Sequence, residues 1–124
     1  MKPRTLLTAL LFAAVLTAPA VAHHSISAEF DNNKQIDLAG IVTNVDWMNP
    51  HTYVFVDVKD PAVGKTRTWA CELASTNTLS RRGFSRESLK VGMAVRVIGS
   101  RAKDGSFKIH TDTLSTDSGV LLSK

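Results

Sequence analysis

The 124-residue chain carries 15 basic and 11 acidic side chains, a formal charge of +4 with histidine neutral, and a single cysteine. That length suits one domain with one hydrophobic core, and so weak a positive charge argues against a nucleic-acid partner. Cys71, being alone, rules out an internal disulfide and a redox cysteine pair.

The chain opens with two cations, Lys2 and Arg4, followed by an uncharged run from Thr5 to Ala18 rich in Leu, Ala, Val and Phe. Pro19 and Ala20-Val21-Ala22 then put small residues where a signal peptidase reads. This order predicts a cleavable secretory leader over residues 1–22, cut after Ala22. Its apolar part is shorter than the roughly 20 residues a membrane span needs. Lys2 and Arg4 leave with the leader, so the mature charge is +2. The expected product begins His23-His24-Ser25, is exported, and has no membrane attachment after cleavage.

Residues 23–34 read as a polar lead in which Ile26, Ala28 and Phe30 are available for apolar contact. A β domain is expected over 35–124. Its first strand runs from Ile36 to Val45, with Gly40 as a bulge or bend, and breaks at Trp47-Met48-Asn49-Pro50 because Asn-Pro favours a turn. Thr52 to Lys59 alternates as a second strand, with Val54, Val56 and Val58 on one face and Tyr53, Phe55 and Asp57 on the other. After the Asp60-Pro61 and Gly64 loop, Thr66 to Glu72 is a third strand carrying Trp69 and Cys71 on one side.

The period then changes. Ser75 is placed to cap a short helix from Thr76 to Arg82, with Arg81 and Arg82 complementing its dipole and Gly83 stopping it. Ser85 to Lys90 forms a turn, and Ala94 to Ser100 a fourth strand. Asp104-Gly105 marks a hairpin turn. Phe107 to Leu114 is a fifth strand in which Phe107, Ile109 and Thr111 oppose a polar, solvated face of Lys108, His110 and Asp112. Val120-Leu121-Leu122 has the pattern of a short edge strand. Three strands, one short helix and a two-strand hairpin predict a mainly β fold, a small five-stranded OB-fold-like Greek-key barrel with one short helix between strands 3 and 4.

Several segments together resemble a family of small exported bacterial proteins known as a domain of unknown function. They are His23-His24-Ser25, Ala28-Glu29-Phe30-Asp31, Gly40-Ile41-Val42-Thr43, Trp47-Met48-Asn49-Pro50-His51, Val56-Asp57-Val58, Arg81-Arg82-Gly83-Phe84 and Arg101-Ala102-Lys103-Asp104-Gly105. The resemblance spans nearly the whole mature chain and implies a bacterial periplasmic protein. It brings no catalytic residues. The chain departs from the family at Glu72-Leu73-Ala74, where members often carry Glu-Gly-Gly.

Chemistry is richest at the new N-terminus. Cleavage after Ala22 gives His23 a free α-amine beside its imidazole, with His24 next. The amine and Nδ1 of His23 form a chelate suited to Cu(II), with His51 available to complete it; the His24 amide and ring offer a second chelate. The alternative is a solvated, frayed terminus. His51, after Pro50, is either a loop ligand or a partner for a turn carbonyl. Trp47, Tyr53 and Phe55 form a candidate ligand face, unless the domain covers it itself. Four histidines with no close cysteine or carboxylate make no zinc signature, and no catalytic residue is assigned. Three functions follow: a non-enzymatic binding or accessory module for a small molecule or periplasmic protein, a copper-binding or copper-handling protein using His23-His24, and a copper-dependent oxidative enzyme.

Overall fold

The computed structural model describes residues 26–124. The leader expected over residues 1–22, together with His23 and His24, lies outside the described residues. In chain order the elements are α1 (Ile26–Glu29), β1 (Phe30–Asp46), β2 (Tyr53–Asp60), β3 (Lys65–Glu72), α2 (Thr76–Arg81), a 3-10 turn (Arg86–Ser88), β4 (Ala94–Ala102), β5 (Lys108–Thr116) and β6 (Gly119–Ser123). Among the described residues no helix is long and apolar enough to cross a membrane.

The fold is mainly β, and its strands close on themselves. β1 is long enough to serve two neighbours: Phe30 to Ile41 pairs with β4, and Ile41 to Asp46 pairs with β2. β2 pairs antiparallel with β3, and β4 with β5. Ala70, Cys71 and Glu72 of β3 then pair in parallel with Lys108, Ile109 and His110 of β5, so the order β1-β2-β3-β5-β4 returns to β1. β6 pairs with β5 outside that ring. Among the described residues the strand count is therefore six rather than five, because the Val120–Leu122 tail docks as an edge.

Two further expectations are corrected. β1 begins at Phe30 rather than Ile36, since Phe30 and Asp31 pair with Ala102 and Arg101 of β4 ahead of an irregularity at Asp31/Gln35. The bulge against β2 falls between Val42 and Asn44 rather than at Gly40. Gly40 instead lies where two strands come too close for a side chain: a Cβ there would stand 2.3 Å from the Asp57 carbonyl oxygen. Gly99 is tighter, with the His110 carbonyl oxygen 2.0 Å from the equivalent point.

The core forms where the inward faces of the ring meet the helical segment. Val42, Val54, Val56, Val97, Ile109 and Leu114 are fully buried. Leu79 of α2, Phe84 after it and Leu89 after the 3-10 turn join the same cluster. α2 is held as its sequence predicts: the Ser75 side chain accepts from the Thr78 N–H, and Gly83 takes the left-handed conformation that ends the helix.

Gly99→Ala should destabilise the domain by about 2 kcal/mol or more, because backbone rather than a flexible side chain must give way. A domain this size would lose roughly 10 °C in Tm. Gly64→Ala, at φ +63° with nothing within 4 Å, should lose only about 1 kcal/mol of left-handed strain. Equal melting shifts for the two would show that the β4–β5 approach at Gly99 is looser than described.

Candidate functional site

Strand register brings three polar side chains into one row. Tyr53 of β2 faces Glu72 of β3, and Glu72 faces His110 of β5. Lys108, two residues before His110, shares its face. His51 stands two residues ahead of Tyr53, and bonds from Leu73 N–H to the Thr52 carbonyl and from Thr52 N–H to the Ala74 carbonyl hold it beside Glu72.

Glu72 is the hub. Its side chain is 6% exposed, and such a carboxylate must be paired to remain charged. Tyr53 Oη donates to Oε2 at 3.0 Å, and Lys108 Nζ approaches the same oxygen at 3.0 Å. On the other side Oε1 lies 3.4 Å from His51 Nδ1 and 3.9 Å from His110 Nδ1. Burial pushes the Glu72 carboxyl upward, but the His110 ring, Lys108 and Tyr53 outweigh it and bring it from the ordinary 4.5 down to about 2. Lys108 is raised in turn: burial disfavours its charge, while Glu29 and Glu72 more than restore it. Tyr53 is raised by burial and by the Glu72 charge.

The solvated face expected for β5 is covered instead: His110 is buried, and Lys108 and Asp112 on the same face are half-buried. The chain before and at the start of β1 covers it. Phe30 sets its ring 5.4 Å from that of His110, and Lys108 Nζ donates to Glu29 Oε1 at 2.5 Å. α1 is fixed there by further bonds, from Lys103 N–H to the Glu29 carbonyl and from Lys103 Nζ to the Ser27 carbonyl. His110 is 10% exposed, and neither of its ring nitrogens has a hydrogen-bond partner.

Beside these groups lies a cavity of about 350 Å³, lined by Ile26, Pro50, His51, Leu73, Arg82 and His110 among others. The Trp47–His51 loop, whose Pro50 and His51 form part of one wall, is pinned at two points. Trp47 stacks on Phe84 with centroids 6.2 Å apart, and Asn49 Oδ1 accepts from the backbone N–H and hydroxyl of Thr76. Two segments that stood out in the sequence, Trp47–His51 and Arg81–Phe84, thus touch each other.

The structure brings His51 to Glu72 and into one cavity wall with His110. Of the aromatic trio, Tyr53 and Phe55 are neighbours at 6.5 Å, whereas Trp47 turns to Phe84. Cys71 is buried and its thiol is pushed up to about 12 by burial, as befits an inert core thiol. Among the described residues no group of three His, Cys, Asp or Glu is set to hold a metal ion. Sequence reasoning missed Glu72, Lys108 and His110. The one available signal was a charged residue closing an apolar strand at Trp69-Ala70-Cys71-Glu72.

A family model described as a family of unknown function matches residues 11–110. The matched span contains His51, Tyr53, Glu72, Lys108 and His110. Comparison with curated proteins returns no match.

Proposed function

The chain belongs to that family, DUF6152, and we propose that it is an exported periplasmic binding module, without enzymatic activity, that takes a transition-metal ion, Cu(II) foremost, at the His51–His110 wall of its cavity. The ring order β1-β2-β3-β5-β4, with α2 between β3 and β4, supports an OB-fold-like barrel as the frame. The leader-like residues 1–22 support export.

The observation that carries the reading is His110. A buried imidazole is costly unless its nitrogens are satisfied; Nδ1 has only the Glu72 carboxylate at 3.9 Å, and Nε2 has no hydrogen-bond partner. Its neighbour fixes the chemistry. His51 Nδ1 faces the Leu73 carbonyl oxygen at 3.4 Å and Glu72 Oε1 at 3.4 Å, and both are acceptors only. The neutral ring therefore keeps its proton on Nδ1 and leaves the Nε2 lone pair for a ligand. A carboxylate behind metal-binding histidines is the common arrangement for orienting them, and imidazole nitrogen suits copper. Glu72, held down to about 2, has no proton to donate near neutrality and is a weak base, so it serves better to orient the imidazoles than to move protons.

Titrating the mature protein with Cu(II), and separately with acetate, tests this. Cu(II) should broaden the magnetic resonances of His51, His110 and Thr111 at one equivalent, and His110→Gln should weaken binding by about 10-fold or more. A response to acetate alone would overturn the metal reading in favour of an anion pocket served by Arg82.

A further inference from the structure

We propose that the open edge of β3 at Lys65–Trp69 receives an extended acidic segment of a partner protein, which adds a strand there and sets carboxylates on Arg67 and Arg101. This surface lies toward the opposite end of β3 from Glu72 and shares no residue with the cavity.

The edge follows from how far β5 reaches. All of β3 pairs with β2, from Lys65 opposite Asp60 to Glu72 opposite Tyr53. On the other side only Ala70, Cys71 and Glu72 meet β5. Lys65 to Trp69 therefore have a strand neighbour on one side alone. The Ala70 N–H turns away from β2 to the Phe107 carbonyl at 2.9 Å, and backbone groups two residues apart in a regular strand point the same way. Thr66 and Thr68 thus turn their N–H and carbonyl groups outward, and among the described residues no strand takes them. Such a row is a template for an added strand.

Side chains decide what can be added. Lys65, Arg67 and Trp69 share one face of β3. The Arg67 guanidinium lies 4.7 Å from the Phe107 ring centre and the Arg101 guanidinium 5.5 Å from that of Trp69, while the two rings meet edge to face at 5.2 Å. Stacking fixes the planes of both guanidiniums and leaves N–H donors at their edges. Among the described residues neither arginine is in an ion pair. Arg101 donates through one Nη to the Gly105 carbonyl, and its Nε is enclosed, so the Nη groups carry any further bond. Asp31, opposite Arg101 in register, accepts instead from the Asn33 N–H. Phe107 remains exposed, which leaves the stack open to solvent.

Charge selects the partner. Lys65 and Arg67 repel a second copy of the same edge, a common protection of exposed strands, whereas an acidic strand is drawn to them. On the opposite face Thr68 Oγ1 donates to Asp57 Oδ1 at 2.6 Å, so that face disfavours a further carboxylate. The segment that fits carries acidic residues at every second position, with neutral residues between.

The experiment titrates the mature protein with three capped peptides about as long as the edge. One alternates glutamate and valine, one alternates lysine and valine, and the third is the glutamate peptide N-methylated throughout. Phosphatidylglycerol vesicles form a fourth arm. Backbone amide resonances give affinity and location, and melting curves show which variants are folded. The glutamate peptide should shift the Thr66 and Thr68 amides and bind more weakly as salt rises. Its affinity should fall about 10-fold or more in the Arg67→Gln, Arg101→Gln double variant. N-methylation should weaken binding to the wild type by about 10-fold or more, a test of edge pairing that does not depend on the variant folding. The lysine peptide should not bind.

Equal binding of the N-methylated peptide would overturn strand addition. Equal binding of the lysine peptide, or unchanged affinity in a folded double variant, would overturn acidic recognition. Failure of the glutamate peptide to bind, or binding of the vesicles in its place, would overturn the proposal as a whole. Each of these outcomes leaves the metal reading of the cavity where it stands, because the two surfaces have no residue in common.

Discussion

Val56→Asp is expected to leave the domain largely unfolded at room temperature. Val56 is wholly buried and pairs with Trp69 on β3 and Val42 on β1, so a carboxylate there has neither water nor a cation within its apolar surroundings. Such a substitution is worth about 4–5 kcal/mol or more, comparable with the entire stability of many small domains. Lys59→Ser, three residues along on the exposed side of the same strand, should change stability by less than about 0.5 kcal/mol. Denaturant unfolding followed by Trp fluorescence reads both. Similar midpoints for the two variants would show that β2 does not turn its valines inward.

That facing was legible because β2 alternates strictly, with Val54 and Val56 inside and Tyr53 and Phe55 half-covered outside. The α2 cap at Ser75 and the stop at Gly83 were legible for the same reason: each is a local rule acting within four residues. The site was not. Lys108, His110 and Asp112 read as a solvated face because nothing near them in sequence covers it. What covers it is Glu29 and Phe30, some 80 residues away. The length of β1 was hidden likewise, since Phe30 is followed by the polar run Asp31 to Gln35, and Phe30 and Asp31 pair only because β4 lies alongside. The pairing of Glu72 with His110 depends on a parallel ladder closing the ring, which no periodicity encodes.

Replacing Glu72 should be the most damaging change among the polar residues. Glu72→Ala removes the acceptor for Tyr53 Oη and the buried partner of Lys108, a loss of about 3 kcal/mol because Lys108 keeps Glu29 and some water. Glu72→Gln preserves shape and one acceptor oxygen, and separates charge from packing. The sign follows from the depressed carboxyl. A group held at about 2 rather than 4.5 contributes its stability in full above pH 4.5, and loses it as pH falls toward 2. The full amount is about 3 kcal/mol at most. The groups facing this carboxylate are Tyr53, Lys108, His51 and His110. Metal-free wild type should therefore be more stable than Glu72→Gln at pH 6, and the gap should narrow between pH 4.5 and 2 as Glu72 takes up its proton. Unfolding midpoints across that range measure the gap directly. A gap that stays constant with pH would mean that Glu72 stabilises the strand row by shape alone, and that its charge does not hold Lys108 and the two imidazoles in place.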